Sequence, residues 1–188
     1  MARTIGSTAE TTQRRILEAA RELFTERGYA GTSIRDIAER LSMTKAALYY
    51  HFPGKQDVLA ALVEPWLREM DELATWAEPQ HPLDREEALR RTIDFLAFPG
   101  PAFAILASDP SAVHDSAERL NIRERAQRLE HAFAGDDPAE LLAVRCALGA
   151  VRAGILGTRL RRGEAFEPEE LDVVLRAGLA AWDAASPL

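Results

Sequence analysis

One stretch, Thr32 to Lys55, constrains this chain more than any other: Thr-Ser-Ile-Arg-Asp-Ile-Ala-Glu-Arg-Leu-Ser-Met-Thr-Lys-Ala-Ala-Leu-Tyr-Tyr-His-Phe-Pro-Gly-Lys. Ile34, Ile37, Ala38 and Leu41 recur at the spacing of one helix face. Ser33 precedes that face, and Asp36 stands three residues on, which closes a capping box around the free N–H groups. Ser42, Met43 and Thr44 make a turn, and Thr44 caps a second short helix. That helix buries Ala47 or Ala46, with Leu48 and Phe52, and leaves Thr44, Lys45, Tyr49, Tyr50 and His51 outward, with Lys55 just beyond. Two helices this short, joined by three residues, cannot form a core alone. They need a third helix beneath them.

Thr11 to Arg27 supplies it, with Ile16, Leu17, Ala20, Leu23 and Phe24 as the stripe and Gly28 as the left-handed stop. Residues 1 to about 8 read as a loose arm, and Tyr29 packs under the bundle. The outward face is unusual for one that meets only water. Tyrosine offers a flat body and a hydroxyl that can donate to phosphate oxygen, and Lys45, His51 and Lys55 flank the pair. Such a face suits a polyanion, and two helices at a steep angle with the second in the major groove form a helix-turn-helix reader.

Charge supports that division. The net charge is −7, yet residues 1–56 hold nine basic and six acidic side chains, a net of +3. The other 14 basic and 24 acidic side chains leave residues 57–188 at −10. A domain at +3 predicts moderate, salt-sensitive binding that needs two copies.

Residues 11 to 60 resemble the DNA-binding domain of the tetracycline-repressor (TetR) family. The segment from Ile34 to Thr44, Leu-Tyr-Tyr-His-Phe-Pro-Gly-Lys at 48–55 and Ile-Leu-Glu-Ala-Ala-Arg-Glu-Leu-Phe at 16–24 carry the match. The resemblance implies an all-α fold: a three-helix reader at 1–56, joined by a long helix to a ligand-binding and dimerisation domain at 57–188. It implies that Ser33, Tyr49, Tyr50, His51 and Lys55 hold phosphates, while Thr44, Lys45 and Ala46 meet base edges. The family usually has glycine where Ser42 stands, at a position that tends toward positive φ. Serine there costs roughly 1 kcal/mol relative to glycine if the geometry is kept.

The remaining chain reads as helices. Gly54 to Ala77 forms one, with Pro65 removing a backbone hydrogen bond inside it. Asp84 starts the next and Glu87 completes its box; Phe98-Pro99-Gly100-Pro101 breaks it. Phe103 to Ala107 is a short apolar helix, and residues 111–134 slip phase near Leu120–Asn121. Asp137-Pro138-Ala139-Glu140 opens a helix that ends at Gly163, and Pro168 to Ala184 forms the last. Gly149, Ala153 and Gly157 repeat every fourth residue, so another helix can approach closely.

The family's C-terminal helices enclose a small-molecule site, and its last two helices pair across a dimer. By that resemblance Trp66, Met70, Phe95, Phe98, Phe103, His114, Phe133 and Arg152 are candidates for an effector pocket. Gly149, Ala153, Leu156, Gly157, Leu171, Leu175, Leu179 and Trp182 are candidates for the dimer interface. The expected partners are a DNA operator, a second copy and an unidentified effector.

Other chemistries find little support. The sequence has no Gly-rich phosphate loop, and no histidine pairs with another histidine or a cysteine at zinc spacing. No catalytic residue, metal or cofactor is expected. The lone Cys146 has apolar neighbours, so a packed core or interface position is expected rather than a redox thiol. The longest uncharged run, Phe95 to Ser108, is too short and proline-broken to span a bilayer, and Arg145, Arg152 and Arg159 argue against a lipid setting for their helix. A cytoplasmic location is expected. Two alternatives are weighed: a small-molecule enzyme or binding protein, which leaves the outward Tyr-Tyr-His without purpose, and an interaction module that has lost DNA binding, which the positive charge of residues 1–56 disfavours.

Overall fold

The computed structural model describes residues 5–97, 109, 111–112, 120–162 and 166–185. Every regular element among them is a helix: α1 (Ile5–Arg27), α2 (Ile34–Arg40), α3 (Lys45–His51), α4 (Lys55–Ala77), α5 (Arg85–Ala97), α6 (Ile122–Ala134), α7 (Pro138–Arg162) and α8 (Pro168–Ala185). Helix α1 begins at Ile5, so residues 5–8 of the expected loose arm are helical. Extending an existing helix is cheap, and no proline lies between Ile5 and Thr11 to stop it.

The described residues fall into two compact units, Met1–Trp66 with Gly100–Asn121 and Leu67–Pro99 with Ile122–Leu188. The division lies inside α4 rather than at its start, where a boundary at residue 56 was expected.

In the first unit Ile16, Ala20, Leu23 and Phe24 from α1 meet Ile34, Ile37 and Ala38 from α2, and all are buried. Leu48 of α3 is fully buried among them. Arg40 joins α2 to α1 through Glu22 and Glu26 at 3.0 and 2.9 Å, although such exposed pairs add little each.

In the second unit α7 and α8 pack closely because glycine lets them. A Cβ on Gly178 would lie 2.8 Å from Val151 and 3.0 Å from Leu89, and one on Gly154 would lie 3.0 Å from Val174. These contacts, not the Gly149–Ala153–Gly157 repeat, mark the close approach. At Gly149 a Cβ would meet nothing within 4 Å. Trp182 seals one end of this core. Its ring stacks on Phe133 at 6.2 Å and its indole N–H donates to Glu140 at 2.7 Å. Arg85 reaches the same carboxylate at 2.8 Å.

The Asp84 and Asp137 caps form, whereas the acids expected to complete their boxes bond elsewhere, Glu87 to Arg91 and Glu140 to Arg85 and Trp182. Asp84 Oδ1 accepts from the N–H groups of Glu86 and Glu87, and Asp137 Oδ1 from that of Ala139. The expected break before α6 falls at Leu120–Asn121, where Asn121 has φ +50.

Candidate nucleic-acid interface

The reader is set by its caps. Ser33 accepts from the Asp36 N–H at 3.2 Å, while Asp36 accepts from the Ser33 N–H at 2.8 Å and from its hydroxyl at 2.5 Å. These bonds hold the Asp36 carboxyl below the usual carboxylate range, the Ser33 hydroxyl being the main cause. Thr44 caps α3 by accepting from the Ala47 N–H at 3.1 Å.

Between them lies a Schellman turn. The Ser42 N–H donates to the Glu39 carbonyl at 3.1 Å and the Met43 N–H to the Ala38 carbonyl at 2.9 Å. That pattern requires a left-handed residue at its hinge, and Ser42 adopts φ +52. The serine therefore keeps the geometry for which glycine is better suited.

Helix α3 buries Leu48 alone, and Phe52 follows it into the core. Ala46 and Ala47 are both exposed, which corrects the expectation that one of them is buried. A helix of two turns has room for one central inward residue, and Phe52 completes the anchor. Thr44, Lys45, Ala46, Tyr49 and Tyr50 share the exposed surface, with Tyr50 85% and Tyr49 47% exposed. The half-buried His51 ring stands edge-on to Tyr50 at 5.2 Å.

Lys55 departs from its expected role. Its ammonium turns inward, donating to the Tyr29 carbonyl at 2.8 Å and lying 4.0 Å from the Tyr29 ring centroid. A residue absent from the expected set, Asp109, accepts from the Ala30 N–H at 2.9 Å. No local pattern announces a bond between residues so far apart in the chain.

Five of the eight effector candidates fall among the described residues. Phe98, Phe103 and His114 lie outside the described residues. Trp66 belongs to the first unit and Met70, Phe95, Phe133 and Arg152 to the second. Met70 and Phe133 are buried, the latter spent in stacking on Trp182. Arg152 is exposed. Phe95 borders a groove of about 450 Å³ between α4 and α5, with Glu69, Glu72, Leu73, Trp76, Arg91 and Asp94.

Of the dimer candidates, Trp182 is 1% exposed and Leu175 5%, so both serve the chain's own core. Ala153 is exposed, whereas Gly149, Leu156, Gly157, Leu171 and Leu179 are half-buried. Cys146 is exposed as well, which removes the core position from its two expected ones. Sequence reading missed Leu142, at 59% exposure, and Val173, at 55%. Leu142, Cys146, Gly149, Ala153 and Leu156 follow one another at helical spacing along α7, and Val173, Ala177, Ala180 and Ala184 do so along α8.

A capped helix, a left-handed turn and a second capped helix with an open aromatic face define a helix-turn-helix protein with a helical body. Residues 16–62 match the family described as bacterial regulatory proteins, tetR family. Over these residues the chain carries the DNA-binding domain of that family.

Relatives and solved structures agree. TtgR of Pseudomonas putida, an HTH-type transcriptional regulator, is 33% identical over half of this chain and 44% of its own length. The chain spans about half the length of several such curated relatives. The HTH-type transcriptional repressor Rv1474c of Mycobacterium tuberculosis is 29% identical, with 87% of this chain and 88% of its own covered. AmtR of Mycobacterium smegmatis, at 25% identity, superposes with a TM-score of 0.62 over 92% of this chain and 85% of its own. A regulator from Aquifex aeolicus, at 24% identity, shares the fold with a TM-score of 0.64, covering 90% and 98%.

Proposed function

We propose that the chain is a ligand-responsive transcriptional repressor that binds a pseudo-palindromic operator as a homodimer in the cytoplasm. The observation that carries the reading is the exposed face of α3. Two phenols and an ammonium stand open to solvent, while Leu48 and the Thr44 cap fix the helix that bears them. Tyr49, Tyr50, His51 and Ser33 hold phosphates and set register. Thr44, Lys45 and Ala46 meet base edges and set sequence.

Two copies are favoured by charge and by α7. The most apolar 18-residue window within residues 138–158 has a mean hydropathy of 1.5, yet only 28% of it is buried within the chain. That composition also meets the length and apolarity expected of a membrane span, but a second copy laid along the α7 and α8 stripes covers the same surface. The effector sits in the α4–α5 groove beside Phe95, and its binding lowers DNA affinity by the factor by which DNA lowers its own.

Selection of bound fragments from random duplexes at low salt tests the reading. Enrichment of a two-fold symmetric site, spaced by about one helical turn, is expected. Failure to retain any duplex sinks it. Replacing Lys45 with Ala is expected to change the sequence enriched, and replacing Tyr50 with Ala to weaken all sequences alike.

A further inference from the structure

One peptide group in the α1–α2 turn is gripped from both ends. Its carbonyl, that of Tyr29, accepts from Lys55 Nζ at 2.8 Å. Its N–H, that of Ala30, donates to Asp109 Oδ2 at 2.9 Å. A cation thus sits at the negative end of the peptide dipole and an anion at the positive end. Each bond is charge-assisted, and each polarises the group toward the other.

Both clamping side chains are themselves fixed. The Tyr29 ring beneath Lys55 is 1% exposed and edge-on to Phe24 at 5.2 Å. The second oxygen of Asp109 accepts from the Ser111 hydroxyl at 2.6 Å and the Ser111 N–H at 3.0 Å. The turn has little slack of its own. Gly28 has φ +75, and a Cβ on Gly31 would stand 2.4 Å from the Arg27 carbonyl oxygen. The Thr32 hydroxyl is bonded back to the Gly28 carbonyl at 2.9 Å. Next in the chain comes Ser33, which caps α2.

Three distant stretches therefore meet on one peptide: the turn that launches the reader, the first residue of α4, and residue 109, which lies between α5 and α6 in the sequence. We propose that Lys55 and Asp109 are positioning residues that clamp the Tyr29–Ala30 peptide to aim the reader at DNA. This rests on the DNA-binding reading above. It replaces the expected phosphate contact at Lys55, because the charge is spent inside the protein.

Salt dependence separates the two roles. A lost phosphate contact lowers the salt slope by about one per subunit, whereas a misaimed reader weakens binding at unchanged slope. The full chain, a selected duplex and fluorescence anisotropy across a salt series suffice. Asp109→Ala and Lys55→Ala are each expected to weaken binding roughly tenfold, as loss of a charge-assisted bond does, with the wild-type slope. The double variant loses less than the product of the two, since both hold one peptide. Asp109→Asn keeps an oxygen that can accept from Ala30 and is expected to fall between.

Where Asp109→Ala fails to fold, hydrogen exchange on Asp109→Asn replaces it. The Ala30 amide is expected to exchange faster with the α8 amides unchanged, and an unchanged Ala30 amide overturns the clamp. A slope reduced by about one in Lys55→Ala, or wild-type affinity in Asp109→Ala, also overturns it. If the wild type binds no selected duplex, the DNA-binding reading fails and takes the clamp's role with it. Wild-type binding with Asp109→Ala unaffected sinks the clamp alone.

Discussion

Ser42→Gly is expected to stabilise the reader. Ser42 holds φ +52 at the hinge of the turn between α2 and α3. A side chain in that left-handed region crowds the following carbonyl, at a cost of roughly 1–2 kcal/mol. Glycine removes the crowding but loses more freedom on folding, which gives back about 0.5–1 kcal/mol. The side chain of Ser42 is exposed and makes no hydrogen bond among the described residues, so nothing else is lost. The net gain lies between about zero and about 1.5 kcal/mol, or up to roughly 3–6 °C in Tm if the chain melts as a whole. Urea denaturation followed by circular dichroism measures it, and hydrogen exchange of the α2 and α3 amides localises it. Asn121, at φ +50, is the internal control. Asparagine tolerates this region better, so Asn121→Gly is expected to gain less. A destabilising Ser42→Gly, or an equal gain at both sites, refutes the argument from backbone crowding.

Three further outcomes follow from the packing and charges. Gly178→Ala places a methyl 2.8 Å from Val151 and 3.0 Å from Leu89, and overpacking of this kind costs about 1–3 kcal/mol in a denaturation curve. Ala153→Glu adds a charge to an exposed face of α7, so it is expected to leave Tm nearly unchanged in dilute protein and to shift the oligomer toward monomer in light scattering. The Asp109 carboxyl is lowered from 3.8 to about 2, chiefly by the Ser111 hydroxyl and then by the Ala30 N–H. Because the folded value is the lower one, its contribution is complete above about pH 4 and is lost as pH falls through about 2. Asp109→Asn is therefore expected to lose less stability than wild type over that acid range.

The parts of this protein legible in its sequence are those decided within a few residues. The Ser33–Asp36 box, the Thr44 cap and the starts at Asp84 and Asp137-Pro138 each depend on a side chain bonding its own helix end, and the stop at Gly28 on a left-handed backbone at φ +75, all of which spacing alone reveals. The strain at Ser42 was legible through the resemblance, since the turn's requirement at that position is independent of the residue supplied.

Long-range geometry was not legible. Helical spacing says that Trp182 faces one way, but not that Glu140 and Phe133 await it there. Lys55 reads as a basic residue beside an aromatic face, and only the folded turn shows the Tyr29 carbonyl within its reach. Asp109, in Ser-Asp-Pro, reads as part of the break that closes a short helix, and its carboxylate reaches a peptide 79 residues away. The Gly149–Ala153–Gly157 repeat reads as a place where another helix can approach, while within the chain the close neighbour, Val174, lies against Gly154.

The exposure of Cys146 on α7 makes a single thiol available among 188 residues. A maleimide dye or nitroxide placed there needs no engineered background. Because the thiol lies on the stripe where the second copy would rest, its labelling rate is expected to drop as protein concentration rises, and two nitroxides would read their separation directly. The chain thus carries a natural ruler on the surface whose occupant matters most.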